Sequence, residues 1–405
     1  MIINIAEALK NRADYNILRE PINDMLKNKQ EAWEQKNPID LLFKRGTLNK
    51  FQETYTSSIG FAHAFTETSD YAVAPIFNTD EGFSKVYTSR TFQGGFIFTQ
   101  QVLEDQAYNS VKDTANKFMT RWHGEEDEYA KEAISSGFGK TVNFGDVTIM
   151  PLKLQSADTV DGHITNPNKN PLFSKNHTIV KRKGMTAEEV NAAKQSNAFC
   201  VKSGSTYGIE LGGTDPGAIA KLADIINQII TMMENYKDDN GKYAGVSGAK
   251  KIIAPNDARL KAALSTALSM DMFQGYGPNP AYQRATLEDT PYLRDLSCCF
   301  KDGKGVGFFI TDPAYNAENH GPEFTERVAL TLNVDETKNP YGISYDARQR
   351  FDINVASWRG IVLVYIGSAA PDFIENGFSA LTEVEPIATI VKPVSVVGTV
   401  NMSGT

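Results

Sequence analysis

Residues 99–137, TQQVLEDQAYNSVKDTANKFMTRWHGEEDEYAKEAISSG, constrain the fold of this chain more than any other stretch. Leu103, Ala107, Val111, Ala115, Phe118 and Trp122 follow one another at steps of three or four, which places them on one face of an amphipathic helix. Thr99 is the expected N-cap, Glu104 and Asp105 suit the positive end of the helix dipole, and Gly137 is the expected stop. At about 1.5 Å per residue such a helix is a rod of roughly 50 Å. Globular helices run to ~10–14 residues, so this one reads as an extended strut. Gly124 is followed by Glu125, Glu126, Asp127 and Glu128. Four adjacent acids cannot all face a core, and a helical glycine costs about 1 kcal/mol, so a bend is expected near 124.

The chain has 405 residues, enough for two domains, with 41% apolar and 22% charged residues as in ordinary globular proteins. A net charge of −8 argues against a dedicated nucleic-acid binder, which needs clustered basic surface to neutralise phosphates. No apolar run approaches the ~20 residues of a membrane span, and no leader pattern precedes Met1-Ile2-Ile3, so use in a cytoplasm is expected. Cys200, Cys298 and Cys299 form neither a disulfide framework nor a zinc spacing, and read as free thiols.

Residues 1–53 read as an arm of short helical pieces anchored by Ile5, Leu9 and Leu18 and interrupted by Pro21 and Pro38. It buries little alone and reads either as an arm that packs on something else, such as another subunit, or as a floppy terminus. From 54 to 98 the period becomes two: Phe61, His63 and Phe65, then Tyr71, Val73 and Pro75, then FSKVYTSRTF after a turn at 78–82. This is a long β-hairpin with semi-polar faces, poorly stable unless it lies against a neighbour. Gly94 and Gly95 are expected to hinge it into the strut.

After Gly137 the pattern is mixed α/β. VNFGDVTIMPL is strand-like, and 156–215 is a polar excursion containing PLFSKNHT. Residues 213–236 carry a helix with Asp215 as cap, Pro216 at N1, and Ala218, Leu222, Ile225, Ile226, Ile229 and Met233 as its buried stripe. A turn at 237–241 leads to the buried strand AKKIIAP, and Asn256 is read as the cap of a helix carrying Leu260, Leu264 and Leu268. From Pro291 two strands flank a turn at 302–305, and three longer strands follow. In the middle one Phe351, Ile353 and Val355 are expected dry, and Arg350, Asp352 and Asn354 wet. The segment 368–405 holds short strands broken by Pro371, Pro386 and Pro393.

No catalytic constellation emerges. Gly139-Lys140-Thr141 lacks the first glycine of a P-loop and follows a helix. His63, His123, His163, His177 and His320 have no metal-binding spacing, and Ser174 near His177 lacks a nucleophile elbow. Adjacent helical acids at 125–128 point around a cylinder and not to one cation. Lys85 is the hairpin residue to watch for cross-linking, a solvated edge lysine being the plain reading. The chain therefore reads as a non-enzyme without cofactor or metal.

The ordered parts carry a resemblance. Phe96-Ile97-Phe98-Thr99-Gln100-Gln101-Val102-Leu103-Glu104-Asp105-Gln106 looks like the entry to the spine helix of the tailed-bacteriophage major capsid proteins with the Hong Kong-type fold. Pro171-Leu172-Phe173-Ser174-Lys175-Asn176-His177 is similar to the LFS..H segment of Mu-like major head subunits, the branch it looks most like. The capped helix at 216–236, strand Ile252–Pro255 and helix 257–269 follow the order of that family's axial lobe. Gly321–Arg327, Ala347–Arg350 and Ser357–Arg359 look like its strands returning to the peripheral lobe. The resemblance covers roughly 55–367.

It implies an α+β fold: N-terminal arm (1–53), extended hairpin or E-loop (54–98), spine helix of a peripheral domain (99–137), axial α/β domain (138–320), returning peripheral strands (321–367) and a C-terminal segment (368–405). It also implies self-assembly into pentamers and hexamers of an icosahedral head, built in the host cytoplasm. The expected partners are copies of itself, scaffold, portal and decoration proteins, and packaged double-stranded DNA held without sequence-specific contact; no membrane is involved. Relatives carry a sizeable scaffolding segment, and with only 1–53 before the hairpin a separate scaffold, or none, is implied. Lys85, Arg90, Arg121, Glu125, Glu126, Arg348 and Arg350 are the candidate inter-subunit contacts. Two other readings remain: an encapsulin-like compartment, and a hydrolase with a site near Ser174 and His177.

Overall fold

The computed structural model describes residues 15–34, 38–58, 76, 81–99, 108–139, 141–154, 159–160, 164–165, 170–177, 186, 188–189, 193–202, 216–239, 241–273, 275, 277–290, 305–338, 341–367 and 379–380. Phe61, His63, Phe65, Leu103, Ala107, Asp215, Cys298 and Cys299, to which the sequence assigned roles, lie outside them.

Two helices open the fold. Helix α1 runs Tyr15–Glu34. It passes through Pro21 where an interruption was expected, and the docking of Leu26 goes toward offsetting a proline cost of about 3 kcal/mol. After a 3-10 turn at Pro38–Leu41 come three strands, β1 Lys44–Thr47, β2 Gln52–Ser58 and β3 Glu81–Thr88. β4, Arg90–Thr99, follows after the single residue Ser89. The long helix α2 spans Tyr108–Ser135, 28 residues and about 42 Å.

Several expectations are corrected here. Thr99 is no N-cap: it ends β4, paired with Gly342. Gly94 and Gly95 are no hinge but lie mid-strand, opposite Ala347 and Asp346. Gly124 lies inside helix α2, which runs on past it to Ser135. It ends before Gly137, and the left-handed residue beyond it is Gly139, φ 95°. The acidic run does not sit together in solvent, because Glu125 and Glu128 are exposed while Glu126 and Asp127 are buried. A helix surface turns 100° per residue, so adjacent acids face different surroundings.

Two sheets organise the rest. Strands β5 (Val142–Phe144) and β6 (Val147–Ile149) form a tight hairpin. Then come β7 (Ala198–Lys202), α3 (Pro216–Glu234), β8 (Lys250–Pro255), α4 (Ala258–Ser269), β9 (Ala285–Thr290), β10 (Gly305–Thr311) and α5 (Pro313–Glu318). The chain closes with β11 (Glu323–Lys338), β12 (Tyr341–Asn354), β13 (Ile361–Gly367) and β14 (Ser379–Ala380). One sheet has the order β1-β11-β12-β4, and the other β9-β8-β10-β13-β7-β14. β2 and β3 pair only with each other among the described residues, as an antiparallel ribbon.

The six-stranded sheet is the hydrophobic centre. Ile361 to Ile366 along β13 are all buried, as a strand covered on both faces requires. Helix α3 lays Leu222, Ile225, Ile226, Ile229 and Met233 into the same core, and α4 adds Leu260, Leu264 and Leu268. The N-cap of α4 is Asp257, not Asn256: its side chain accepts from the amides of Arg259 and Leu260. β13 belongs to this sheet between β10 and β7, so the strands at 321–367 do not form one returning unit.

A second, smaller core joins α1 and α2 to the four-stranded sheet. Ala115 and Met119 of α2 are buried with Leu26, Phe98, Leu330, Ile343, Tyr345 and Ala347, and Phe118 and Trp122 pack beside them. The stripe read from sequence therefore meets β4, β11 and β12. Phe351 and Ile353 on β12 and Val355 just after it are buried as expected, but Asn354 is also buried. Its side-chain amide donates to Thr325 Oγ1 and to the Thr88 carbonyl, which brings a third strand over the face expected to be wet.

Candidate functional site

Among the described residues no group of His, Cys, Asp or Glu could hold a metal ion, and no helix is long and apolar enough to cross a membrane. Several charged side chains gather where the β2–β3 ribbon joins the body.

Asp352 on β12 lies on one side of this joint. Arg90 Nε stands 3.4 Å from its carboxylate, and Tyr129 of α2 donates to it at 2.9 Å. Arg90 also donates to the Thr148 carbonyl at 2.7 Å. Lys85 of β3 donates to the Lys153 carbonyl at 2.6 Å. Ribbon, sheet, long helix and the β5–β6 region thus meet through one acid and two cations. Burial raises the Asp352 carboxyl, against the pull of Arg90, Tyr129 and the Ile353 amide. Burial pushes the Lys85 ammonium down to about 8, with Asp352 opposing.

Glu323, at the start of β11, lies on the other side. His320 Nδ1 is 3.2 Å from its carboxylate and Lys44 Nζ 3.9 Å. The His320 ring lies 4.7 Å from that of Tyr55, which lies 4.4 Å from that of Tyr87. Neither Glu323 nor Asp352 stood out in the sequence. Asp352 sits in an alternating strand whose polar side reads as solvated, and Glu323 in a run of mixed charge; no local signal says that a ribbon will cover them.

The other candidate contact residues divide by exposure. Arg121 pairs with Glu125 one turn on along α2, and both are exposed. Glu126 faces inward: it accepts from Gln349 Nε2 at 3.1 Å and lies 3.3 Å from His123 Nδ1. Gln349 in turn accepts from Trp122 Nε1 at 3.0 Å. Arg348 is exposed on β12, while Arg350 is half-buried with its guanidinium 5.9 Å from the Phe51 ring centre.

The residues of the hydrolase reading lie in the interior. Ser174 and His177 are buried. Asn197 holds them: its Oδ1 accepts from the Ser174 amide at 3.0 Å and lies 2.8 Å from His177 Nε2. Its Nδ2 donates to the carbonyls of Leu172 and Ile361. The His177 ring stacks on Trp358 at 4.2 Å, nearly parallel. Burial drives the imidazole down to about 3, so it is neutral, and the arrangement clips the 170–177 segment to β7 and β13.

No family model matches this chain, and no curated protein matches it. Solved structures similar to it include the asymmetric unit of the bacteriophage PhiM1 mature capsid, at TM-score 0.44 and 8% identity over 80% of this chain and 85% of that one. Mycobacterium phage Patience gives TM-score 0.44 and 11% identity over 89% of each chain. A virus-like particle from Pyrococcus furiosus gives 0.39 and 8% identity over 84% of this chain and 98% of that one.

Proposed function

We propose that this chain is a structural subunit of a closed protein shell, the major capsid protein of a tailed bacteriophage of the Mu-like kind. Many copies would associate as pentamers and hexamers around double-stranded DNA, with scaffold, portal and decoration proteins as partners.

The observation that carries this reading is the β2–β3 ribbon. It pairs with no other strand among the described residues, and its root is held by His320 against Tyr55, by Asn354 on the Thr88 carbonyl and by Lys85 on the Lys153 carbonyl. A two-stranded ribbon is marginal alone in water, so a chain that invests in anchoring one has a use for it against another surface. The outer edge of β11, a strand of 16 residues, is likewise open among the described residues beyond the four that β1 pairs, while β4 pairs the other edge of the β11–β12 hairpin. Such parts suit a subunit whose neighbours complete it, through head-to-tail contacts that close around symmetry axes. The net charge of −8 fits a wall that must not hold packaged DNA tightly. The sequence resemblance to capsid proteins points the same way.

Within this reading, exposed Arg121, Glu125 and Arg348 are the candidates to meet a neighbour, with Arg350 beside them. Lys85, Arg90 and Glu126 already have partners in their own chain and would act on assembly by shaping the subunit. Size-exclusion chromatography and negative-stain microscopy of the expressed chain, with and without a scaffold protein, test the proposal. Rings, capsomers or shells are the expected result, and a monomer or dimer under every condition would overturn it. Shells that carry a co-expressed enzyme would assign the chain to an encapsulin-like compartment. Arg348→Ala with Arg350→Ala tests the contact residues: normal shells at high salt would remove both from the list.

A further inference from the structure

Where the ribbon meets the body, a carboxylate is sealed into the joint. The Glu323 side chain is only 5% exposed. The groups facing it come from four other elements: Lys44 of β1, His320 of the turn after α5, Tyr55 of β2 and Tyr87 of β3. Its compensation is incomplete. Lys44 stands off at 3.9 Å while its ammonium donates to the Ala317 carbonyl at 2.6 Å, and the His320 side chain is 42% exposed. Tyr87 is fully buried, and its hydroxyl has no hydrogen-bond partner among the described residues.

His320 is itself held in place at a cost. Its φ of 52° is left-handed, a conformation disfavoured for any side chain other than glycine. Its carbonyl accepts from the amides of both Ala356 and Ser357, which fixes the ring over Tyr55 and Glu323. The backbone thus delivers the imidazole to the acid and to the ribbon together.

We propose that the ribbon is seated by proton uptake at Glu323: β2 and β3 pack down on β11 most firmly when Glu323 is protonated, and loosen when it is ionised. Seated, the ionised carboxylate loses water and regains a half-exposed imidazole and a distant ammonium. Lifting Tyr55 and Tyr87 away returns water to it. Protonation removes the need for compensation. In a shell subunit this would make the ribbon's freedom to reach a neighbour depend on pH.

The sign follows from burial, the largest influence on Glu323, which raises it above the ordinary glutamate value of 4.5 against the pull of His320 and Lys44. An acid raised in the seated state gives stability that is present at low pH and lost as pH rises through the raised value. Lys85, held at about 8, stays largely protonated between pH 5 and 7 and does not reverse the trend. Asp352, a half-buried acid at the ribbon's base, is also raised by desolvation, so it adds with the same sign.

Hydrogen exchange of the full chain, corrected for the intrinsic effect of pH, tests this at residues 52–58 and 81–88. Protection of the ribbon is expected to be several-fold greater at pH 5 than at pH 7, with α3 unchanged. Glu323→Gln should raise ribbon protection at pH 7 and shrink the pH effect, leaving the part due to Asp352. Lys44→Met should lower protection at pH 7 and spare it at pH 5. Equal or lower wild-type protection at pH 5 would overturn the proposal, whether or not either variant folds, and so would a looser ribbon in a folded Glu323→Gln.

Discussion

The indole of Trp122 on α2 lies against the backbone of Gly94 on β4, so that a methyl at Gly94 would stand 3.3 Å from Trp122 Cζ3. Helix and strand approach this closely because residue 94 has no side chain. The same indole donates to Gln349 of β12, which fixes the helix over two strands at once. Gly94→Val should therefore cost about 1–3 kcal/mol by forcing the indole away. Trp122→Ala, at a half-buried position, should cost about 2–3 kcal/mol, below the range for a fully buried tryptophan. Urea denaturation of the unassembled chain measures both, and wild-type stability in Gly94→Val would show that the contact is loose.

Glu125 and Glu126 are neighbours in sequence with opposite surroundings, which makes them a matched pair. The Glu125→Lys change alters an exposed pair with Arg121 and should move stability by no more than about 1 kcal/mol. Its Glu126 counterpart places an ammonium among His123, Gln349 and Glu326 in the interior, and should cost about 3–5 kcal/mol. Were all four acids of the run in solvent, the two changes would behave alike. Comparing their denaturation midpoints decides between the readings.

His177 makes the fold sensitive to acid. Its folded value is depressed to about 3 and the ordinary value is 6.5, so between these the unfolded chain binds the extra proton. Its contribution is complete above the ordinary value and is lost as pH falls toward the folded one. The loss is of the order of a few kcal/mol across that window. Stability measured from pH 7 to pH 4 should fall less steeply in His177→Gln than in wild type; parallel curves would mean that the imidazole titrates normally.

Lys131 and Asp127 form an ion pair inside α2 with both side chains at 0% exposure, Nζ lying 2.5 and 2.6 Å from the two carboxylate oxygens. Burial pushes the lysine down and the aspartate up. Lys131→Met alone leaves a buried carboxyl without this partner and should cost about 3–5 kcal/mol. Lys131→Met with Asp127→Leu should recover most of that, since apolar groups of similar volume replace buried pairs at little cost. A double variant no better than the single one would show that the pair does more than neutralise itself.

The sequence by itself determined what depends on neighbours along the chain. The 3.6-residue stripe of Ala115, Phe118 and Trp122, the stripe from Leu222 to Met233 and the apolar run along 361–367 each specified an element and its buried face. Local periodicity records such faces because one helix or strand must bury them whatever covers it. Only the tertiary structure decided which partner does the covering. It turned Gly94 from a hinge into a seat for Trp122, and set β13 into the six-stranded sheet. It buried Glu126, Asp127 and Glu323 and half-buried Asp352, whose local sequence reads as solvated. The physical reason is that a charge can be kept from water only by groups brought from elsewhere. Lys44 and Tyr55 reach Glu323, and Arg90 and Tyr129 reach Asp352, across stretches of chain over which no sequence pattern extends.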